Sequence, residues 1–206
     1  MMSERNVFLV RHGDVENPRG VLYGRLPGFG LSHEGRLKIG QLADKFKKSG
    51  VVISQIYSSP LERTFQTAQI IGEILDVPVD LSASLTEVEC DFLQGKTKKE
   101  RLAIYLLHGF NLYTAYYRKR GIEAKDRVAQ RMSGFIDMRL AQAEGNFIVV
   151  SHGDPLLFLL WAYVYGVKKL PKVPIPAKNR NYLEKGQAMV LTFDGNGLFL
   201  NFKKFR

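Results

Sequence analysis

Two largely apolar runs, Asn6-Val7-Phe8-Leu9-Val10 and Asn146-Phe147-Ile148-Val149-Val150, each stop at a histidine–glycine step: Arg11-His12-Gly13 and Ser151-His152-Gly153. Runs this short and this apolar predict buried strands. Each histidine therefore sits where a strand ends and the chain turns. In open α/β sheets ligands bind at that carboxyl edge. A chain with this pattern is constrained to bring two of its four histidines, and an arginine beside the first, to one surface.

The segments between them alternate in period. Ser32 caps a predicted helix whose Ile39, Leu42, Ala43 and Phe46 share one face and which Gly50 closes. A strand follows from Val51 to Tyr57. Ser58-Ser59-Pro60 then leads into a helix reaching about Leu75, with Pro60 near its first turn. A weaker strand is expected over 77–81. Residues 95–121, rich in aromatics and charge, show no clear strand and read as an insertion. A helix over about 124–144 buries Val128, Met132, Phe135, Ile136 and Leu140 and feeds the second histidine strand. Pro155 starts another helix through Trp161. Strands over 187–193 and 198–202 flank Asp194-Gly195-Asn196-Gly197, a hairpin signal. Alternating strands and helices imply a three-layer, doubly wound α/β fold: a mainly parallel sheet with helices on both faces. The hairpin lies at or near one edge, and the insertion lies over the carboxyl edge as a cap-like segment. With 206 residues, the expectation is one domain over 1–206.

The composition, 45% hydrophobic and 24% charged, is that of an ordinary soluble globular protein. No apolar run approaches the roughly 20 residues of a membrane helix, so no membrane partner is expected. The first strand begins within about five residues of Met1, which leaves no room for a signal peptide. The single cysteine, Cys90, suits a reducing compartment. A cytoplasmic location is expected. The net charge of +10 favours anionic partners. It is spread over several clusters, and none of the nucleic-acid signatures is present. Nucleic acid is therefore not the expected partner, and the sequence does not specify an oligomeric state.

Three strand ends contribute to one constellation. The first brings Arg11 and His12, the second leads through Ser58-Ser59-Pro60-Leu61-Glu62 to Arg63, and the fourth brings His152. Two guanidinium groups fork onto phosphate oxygens. A neutral imidazole, with an ordinary pKa of about 6.5, is a competent nucleophile. Attack by His12 on phosphorus would give a phosphohistidine, later split by water or a second acceptor. The positive groups stabilise charge on the equatorial oxygens. The leaving alkoxide needs a proton, and Leu85-Thr86-Glu87-Val88-Glu89 offers Glu87 or Glu89. Their spacing puts both on one side if extended, so that like charge raises one pKa. A metal site is the rival reading of His12, His152 and Glu87. Two flanking guanidinium groups compete with a dication, and no helix carries the His-x-x-x-His spacing. No metal or other cofactor is expected.

Leu9-Val10-Arg11-His12-Gly13, Ser58 to Arg63 with Thr67-Ala68 beyond, Leu85-Thr86-Glu87 with Gly95 eight later, and Val150-Ser151-His152-Gly153 together resemble the histidine phosphatase superfamily, also called phosphoglycerate mutase-like. The resemblance implies His12 as nucleophile and Glu87, by its distance to Gly95, as proton donor. It implies Arg11, Arg63 and His152 as phosphate ligands, and Asn17 and Arg25 as substrate contacts. Gly24-Arg25-Leu26-Pro27-Gly28 and Leu31-Ser32 also look like this family's first loop. Departures include Val15 where the family commonly has threonine or serine, and Leu93 where an aromatic residue is usual. Cys90 replaces the tyrosine of the cofactor-dependent mutases. Lys98 matches a mutase lysine that holds the substrate carboxylate, while the mutases' arginine pair has only a displaced counterpart in Arg118-Lys119-Arg120. The resemblance thus implies a phosphomonoesterase acting on a small phosphorylated substrate, with a cofactor-dependent phosphoglycerate mutase as the alternative. A phosphate- or nucleic-acid-binding module without turnover is a third reading. The aromatic group Tyr105, Phe110, Tyr113, Tyr116 and Tyr117 is expected to form a local core in the segment that covers the cleft.

Overall fold

The computed structural model describes residues 4–142, 145–172 and 176–205. A six-stranded sheet runs in the order β3-β2-β4-β1-β5-β6. The strands are β1 (Arg5–Arg11), β2 (Ile53–Ser58), β3 (Val79–Leu81), β4 (Asn146–Ser151), β5 (Ala188–Phe193) and β6 (Phe199–Phe205). The first four are parallel to one another, and β5 and β6 form an antiparallel hairpin added beside β1. Alternate residues feed two cores. Val7 and Leu9 of β1 enter one, and Phe8 and Val10 enter the other, as the two-residue period of a strand requires.

One face is covered by α1 (His33–Lys48) and α2 (Glu62–Leu75), the other by α5 (Lys125–Gln142) and α6 (Gly153–Tyr165). In α1 the Ser32 Oγ accepts the Gly35 N–H, and Ile39, Leu42, Ala43 and Phe46 are buried, as their spacing predicts. Boundaries moved where tertiary pairing overrides pattern. Val52 is 79% exposed, and the β2 ladder begins only at Ile53. The helix predicted near Pro60 starts at Glu62. The predicted end of α5 at Glu144 lies outside the described residues. Helix α6 begins at Gly153 and reaches Tyr165. Its middle is apolar on every side, so no amphipathic period marks its end. The 95–121 insertion has no strand, but it holds two helices that its sequence pattern did not announce, α3 (Lys98–His108) and α4 (Ala115–Arg118). A reciprocal capping box between Thr97 and Glu100 starts α3.

Arg11 pairs with Ser151 and Val150 with Ser58, so β1, β4 and β2 end level with one another. That level edge positions the site. No helix among the described residues is long and apolar enough to cross a membrane.

Candidate active site

His12 leaves β1 and is anchored at both ends of its residue. Its backbone N–H donates to the Ser151 carbonyl at 3.1 Å. Its Nδ1 lies 2.8 Å from the Gly13 carbonyl, which can only accept, so Nδ1 carries the proton. Nε2 is thereby left with its lone pair. The ring is 1% exposed. Burial, followed by the positive charges of Arg63 and Arg11, holds its pKa well below the ordinary 6.5. The imidazole is neutral at pH 7 and nucleophilic at Nε2.

Arg63 enters from the first turn of α2 and is 1% exposed. One terminal nitrogen donates to the Gly24 carbonyl at 2.8 Å and to His152 Nδ1 at 3.1 Å. Because guanidinium only donates, His152 Nδ1 is the acceptor, and its Nε2–H donates to Ser59 Oγ at 2.9 Å. The two imidazole rings lie 5.3 Å apart. Arg11 donates from a terminal nitrogen to the Leu183 carbonyl at 2.8 Å and packs 5.0 Å from the Tyr182 ring. The Nε atoms of Arg11 and Arg63 are buried and find no hydrogen-bond partner among the described residues. Two cationic N–H groups are thus left without a protein acceptor, on arginines close enough for their charge to act on the neutral imidazole. This is the chemistry of a tetrahedral oxyanion pocket.

Of the two candidate acids, Glu87 is the one that lies beside His152. Its Oε2 lies 3.9 Å from His152 Nδ1, whereas Glu89 is half exposed and 4.0 Å from Arg25. The expected mutual repulsion of these two carboxylates is not what shifts Glu87. Burial raises its pKa above the ordinary 4.5, with the Asp154 carboxyl as the next cause, against the lowering pull of Arg63. The Glu87 carbonyl accepts from Arg25 Nε at 2.8 Å and from Arg131 at 3.3 Å. Both arginines are tied to Glu123, which fixes the acid's loop from behind.

Beside Glu87 lies a cavity of about 330 Å³ with Arg11, Tyr23, Glu87, Tyr113, Asp154 and Tyr182 among its lining residues. Asp154, in the first turn of α6, accepts from the Tyr113 hydroxyl and from the Tyr182 hydroxyl at 3.0 Å. Gly153 makes this closeness possible: a Cβ there would stand 2.1 Å from the Tyr182 hydroxyl and 3.1 Å from the Arg11 guanidinium carbon. Tyr23 covers Arg63, its ring 4.6 Å from the guanidinium carbon.

His12, Arg11, Arg63, His152 and Glu87 are brought together, and the two expected substrate contacts, Asn17 and Arg25, are engaged with partners within the protein. Asn17 uses both ends of its amide on Val21, donating to its carbonyl at 2.9 Å and accepting its N–H at 3.2 Å, because it closes its own loop. Arg25 turns to Glu123 and the Glu87 carbonyl, so it holds the acid's backbone instead of facing the cavity. Lys98 is exposed at the start of α3. The aromatic group divides. Tyr105, Phe110 and Tyr113 line the cavity, Tyr117 is core, and Tyr116 stacks on His108 outside it. Sequence reasoning missed Tyr23, Asp154, Tyr182 and Arg131. Only Asp154, directly after the second histidine–glycine step, carried a local signal. Among the described residues no group of three or more His, Cys, Asp or Glu side chains could hold a metal ion.

Residues 7–193 match the histidine phosphatase superfamily (branch 1). An uncharacterised Mycobacterium tuberculosis protein is 40% identical over 96 residues, which are 47% of this chain and 46% of that protein. A probable phosphatase of Schizosaccharomyces pombe is 30% identical over 196 residues, spanning 87% of this chain and 64% of that one. The chain thus spans about half to two thirds of these curated relatives' length. Among solved structures, a mycobacterial glucosyl-3-phosphoglycerate phosphatase superposes with a TM-score of 0.76 at 20% identity, over 98% of this chain and 97% of that one. That likeness establishes a common fold. The family match, which covers most of the chain and both histidine–glycine steps, goes further: the chain belongs to the histidine phosphatase superfamily, branch 1.

Proposed function

We propose that the chain is a metal-independent phosphomonoester hydrolase that acts on a small phosphorylated metabolite through a phosphohistidine at His12. The observation that carries this reading is the Nδ1–H bond from His12 to the Gly13 carbonyl. It leaves the Nε2 lone pair free, near two arginines whose charge acts on the ring and whose Nε–H bonds are unused. Those two N–H groups hold the phosphate oxygens, and Nε2 attacks phosphorus. The P–N bond forms as the P–O ester bond breaks, and the departing oxygen takes the proton from Glu87. A water then attacks the phosphohistidine and gives its proton to the Glu87 carboxylate. Inorganic phosphate leaves, and neutral His12 and protonated Glu87 are restored. His152, held between Arg63 and Ser59, orients the guanidinium fork. It contacts the anion directly only by exchanging one of those bonds. A cytoplasmic location belongs to the same reading, supported by a single cysteine that is buried and whose thiol burial pushes up to about 12.

The test is to trap the intermediate. Phosphorus label from a generic phosphomonoester should remain on the wild-type protein after an acid-free quench and be lost in His12→Ala, with turnover persisting in chelator. Full activity of His12→Ala, or loss of activity on chelation, rejects the proposal. A mutase would return the phosphoryl group to a carboxylate-bearing acceptor. An assay with phosphoglycerate and bisphosphoglycerate separates isomerisation from release of phosphate. Salt-dependent DNA or RNA binding untouched by phosphate analogues would instead favour a binding module.

A further inference from the structure

We infer that the alcohol portion of the substrate is apolar, an alkyl or aryl group bearing no second anion, and that it occupies the cavity beside Glu87. This rests on the hydrolase reading above and deepens it. His12, Arg63 and His152 are each at most 1% exposed, while Arg11, Glu87 and Tyr23 form part of the cavity wall. A phosphate held by the two arginines with its ester oxygen towards Glu87 directs the rest of the molecule into this cavity.

The wall decides what fits. Leu22 comes from the first loop, Val88 follows the acid, and Tyr105, Phe110, Leu112 and Ile122 come from the insertion and its exit. The charged residues of the lining are Arg11, Glu87 and Asp154. Among the described residues of the lining Arg11 is the only cation, and it already donates to the Leu183 carbonyl. A carboxylate or second phosphate would face two carboxyl groups with no positive partner, a costly burial. The cations nearest this wall have partners of their own: Lys125 donates to the Pro171 carbonyl and Arg101 to the Lys96 carbonyl. Arg25 pairs with Glu123, and Lys98 is exposed at the head of α3. A polyol fares little better. The Tyr113 and Tyr182 hydroxyls already donate to Asp154, so sugar hydroxyls would lose water without full replacement. An apolar cavity of about 150 Å³ takes up benzene, and this one, at about 330 Å³, is roughly twice that size.

The test is a homologous series: kcat/KM for ethyl, butyl and hexyl phosphate and for naphthyl phosphate, beside 3-phosphoglycerate and glucose 6-phosphate. Each added methylene should raise kcat/KM by about fourfold until the cavity is filled, which puts hexyl about two orders of magnitude above ethyl. Phosphoglycerate should fall at least about tenfold below butyl phosphate. Phe110 is 48% exposed, so its truncation is compatible with folding. In Phe110→Ala the hexyl-to-ethyl ratio should fall about tenfold, and a ratio within one preparation does not depend on the active fraction. A flat series, a preference for phosphoglycerate or sugar phosphate, or an unchanged ratio in Phe110→Ala overturns the inference and leaves the hydrolase reading standing. No turnover of any phosphomonoester overturns both.

Discussion

Burial acts in opposite senses on the two residues proposed to exchange charge with the substrate. It disfavours the cationic form of His12 and the anionic form of Glu87, so each is shifted towards the neutral state the first step needs. The sign of the pH dependence follows. Attack requires unprotonated His12, whose pKa lies well below 6.5, so activity is lost on the acid side only as pH falls through that lowered value. Protonation of the leaving group requires the Glu87 proton, held above the ordinary 4.5, so activity is lost as pH rises through the raised value. The expected kcat/KM profile for an alkyl phosphate is a bell with a histidine limb on the left and a glutamate limb on the right. In Glu87→Gln the right limb should vanish and the rate on an alkyl phosphate should drop by about 10²–10⁴-fold. On a nitrophenyl ester, whose leaving group needs little protonation, the loss should be much smaller. A right limb that survives in Glu87→Gln would exclude Glu87 as the donor.

At the level of elements, α1 is docked backbone to backbone onto the loop that carries His12. Ser32 donates its N–H to the Asp14 carbonyl at 2.9 Å, and a Cβ on Gly35 would stand 2.1 Å from that same carbonyl. Gly35→Ala must therefore move either the helix or the His12 loop, and should lower stability by about 1–3 kcal/mol with a disproportionate loss of activity. Gly40, in the same helix, faces open space; Gly40→Ala should stabilise by about 0.5–1 kcal/mol and leave activity alone. Denaturant midpoints and kcat/KM of the two variants check this, and equal behaviour would refute the close docking. The same helix shows what was readable beforehand. Its cap, buried face and end followed from local chemistry, as did both histidine strands and the terminal hairpin. The helices of the insertion were not readable, because α3 buries no residue outright and sets only Ile104 and Tyr105, partly buried, against the core. The contacts that tune the acid were equally hidden: Asp154 meets Tyr182 across 28 residues and Arg131 meets the Glu87 carbonyl across 44, separations that only the closed fold brings together.

The whole molecule carries a net charge of +10, buries the Arg63 guanidinium at the candidate site and half-buries Arg11 beside it. Among the described residues neither Arg11 nor Arg63 has a carboxylate within ion-pairing distance. A buried cation without a counter-charge opposes folding, and the surrounding positive charge adds to that field. An oxyanion in the pocket should relieve both, so a phosphate analogue ought to act as a stabiliser of the entire fold. At a concentration of 100 times its Kd, the linkage adds about 2.7 kcal/mol, or roughly 5–10 °C in Tm for a chain of this size. Thermal unfolding in vanadate or phosphate, against chloride at matched ionic strength, measures it. Chloride screens the net charge without forking onto two N–H groups, so it should give only a small part of the shift. Arg63→Met removes one of the two cations and one of the two forks. The ligand-dependent shift in that variant should shrink by more than half, whatever its ligand-free Tm. Equal shifts in chloride and phosphate, or a full shift in Arg63→Met, would mean that the stabilisation comes from the surface charge and not from the pocket.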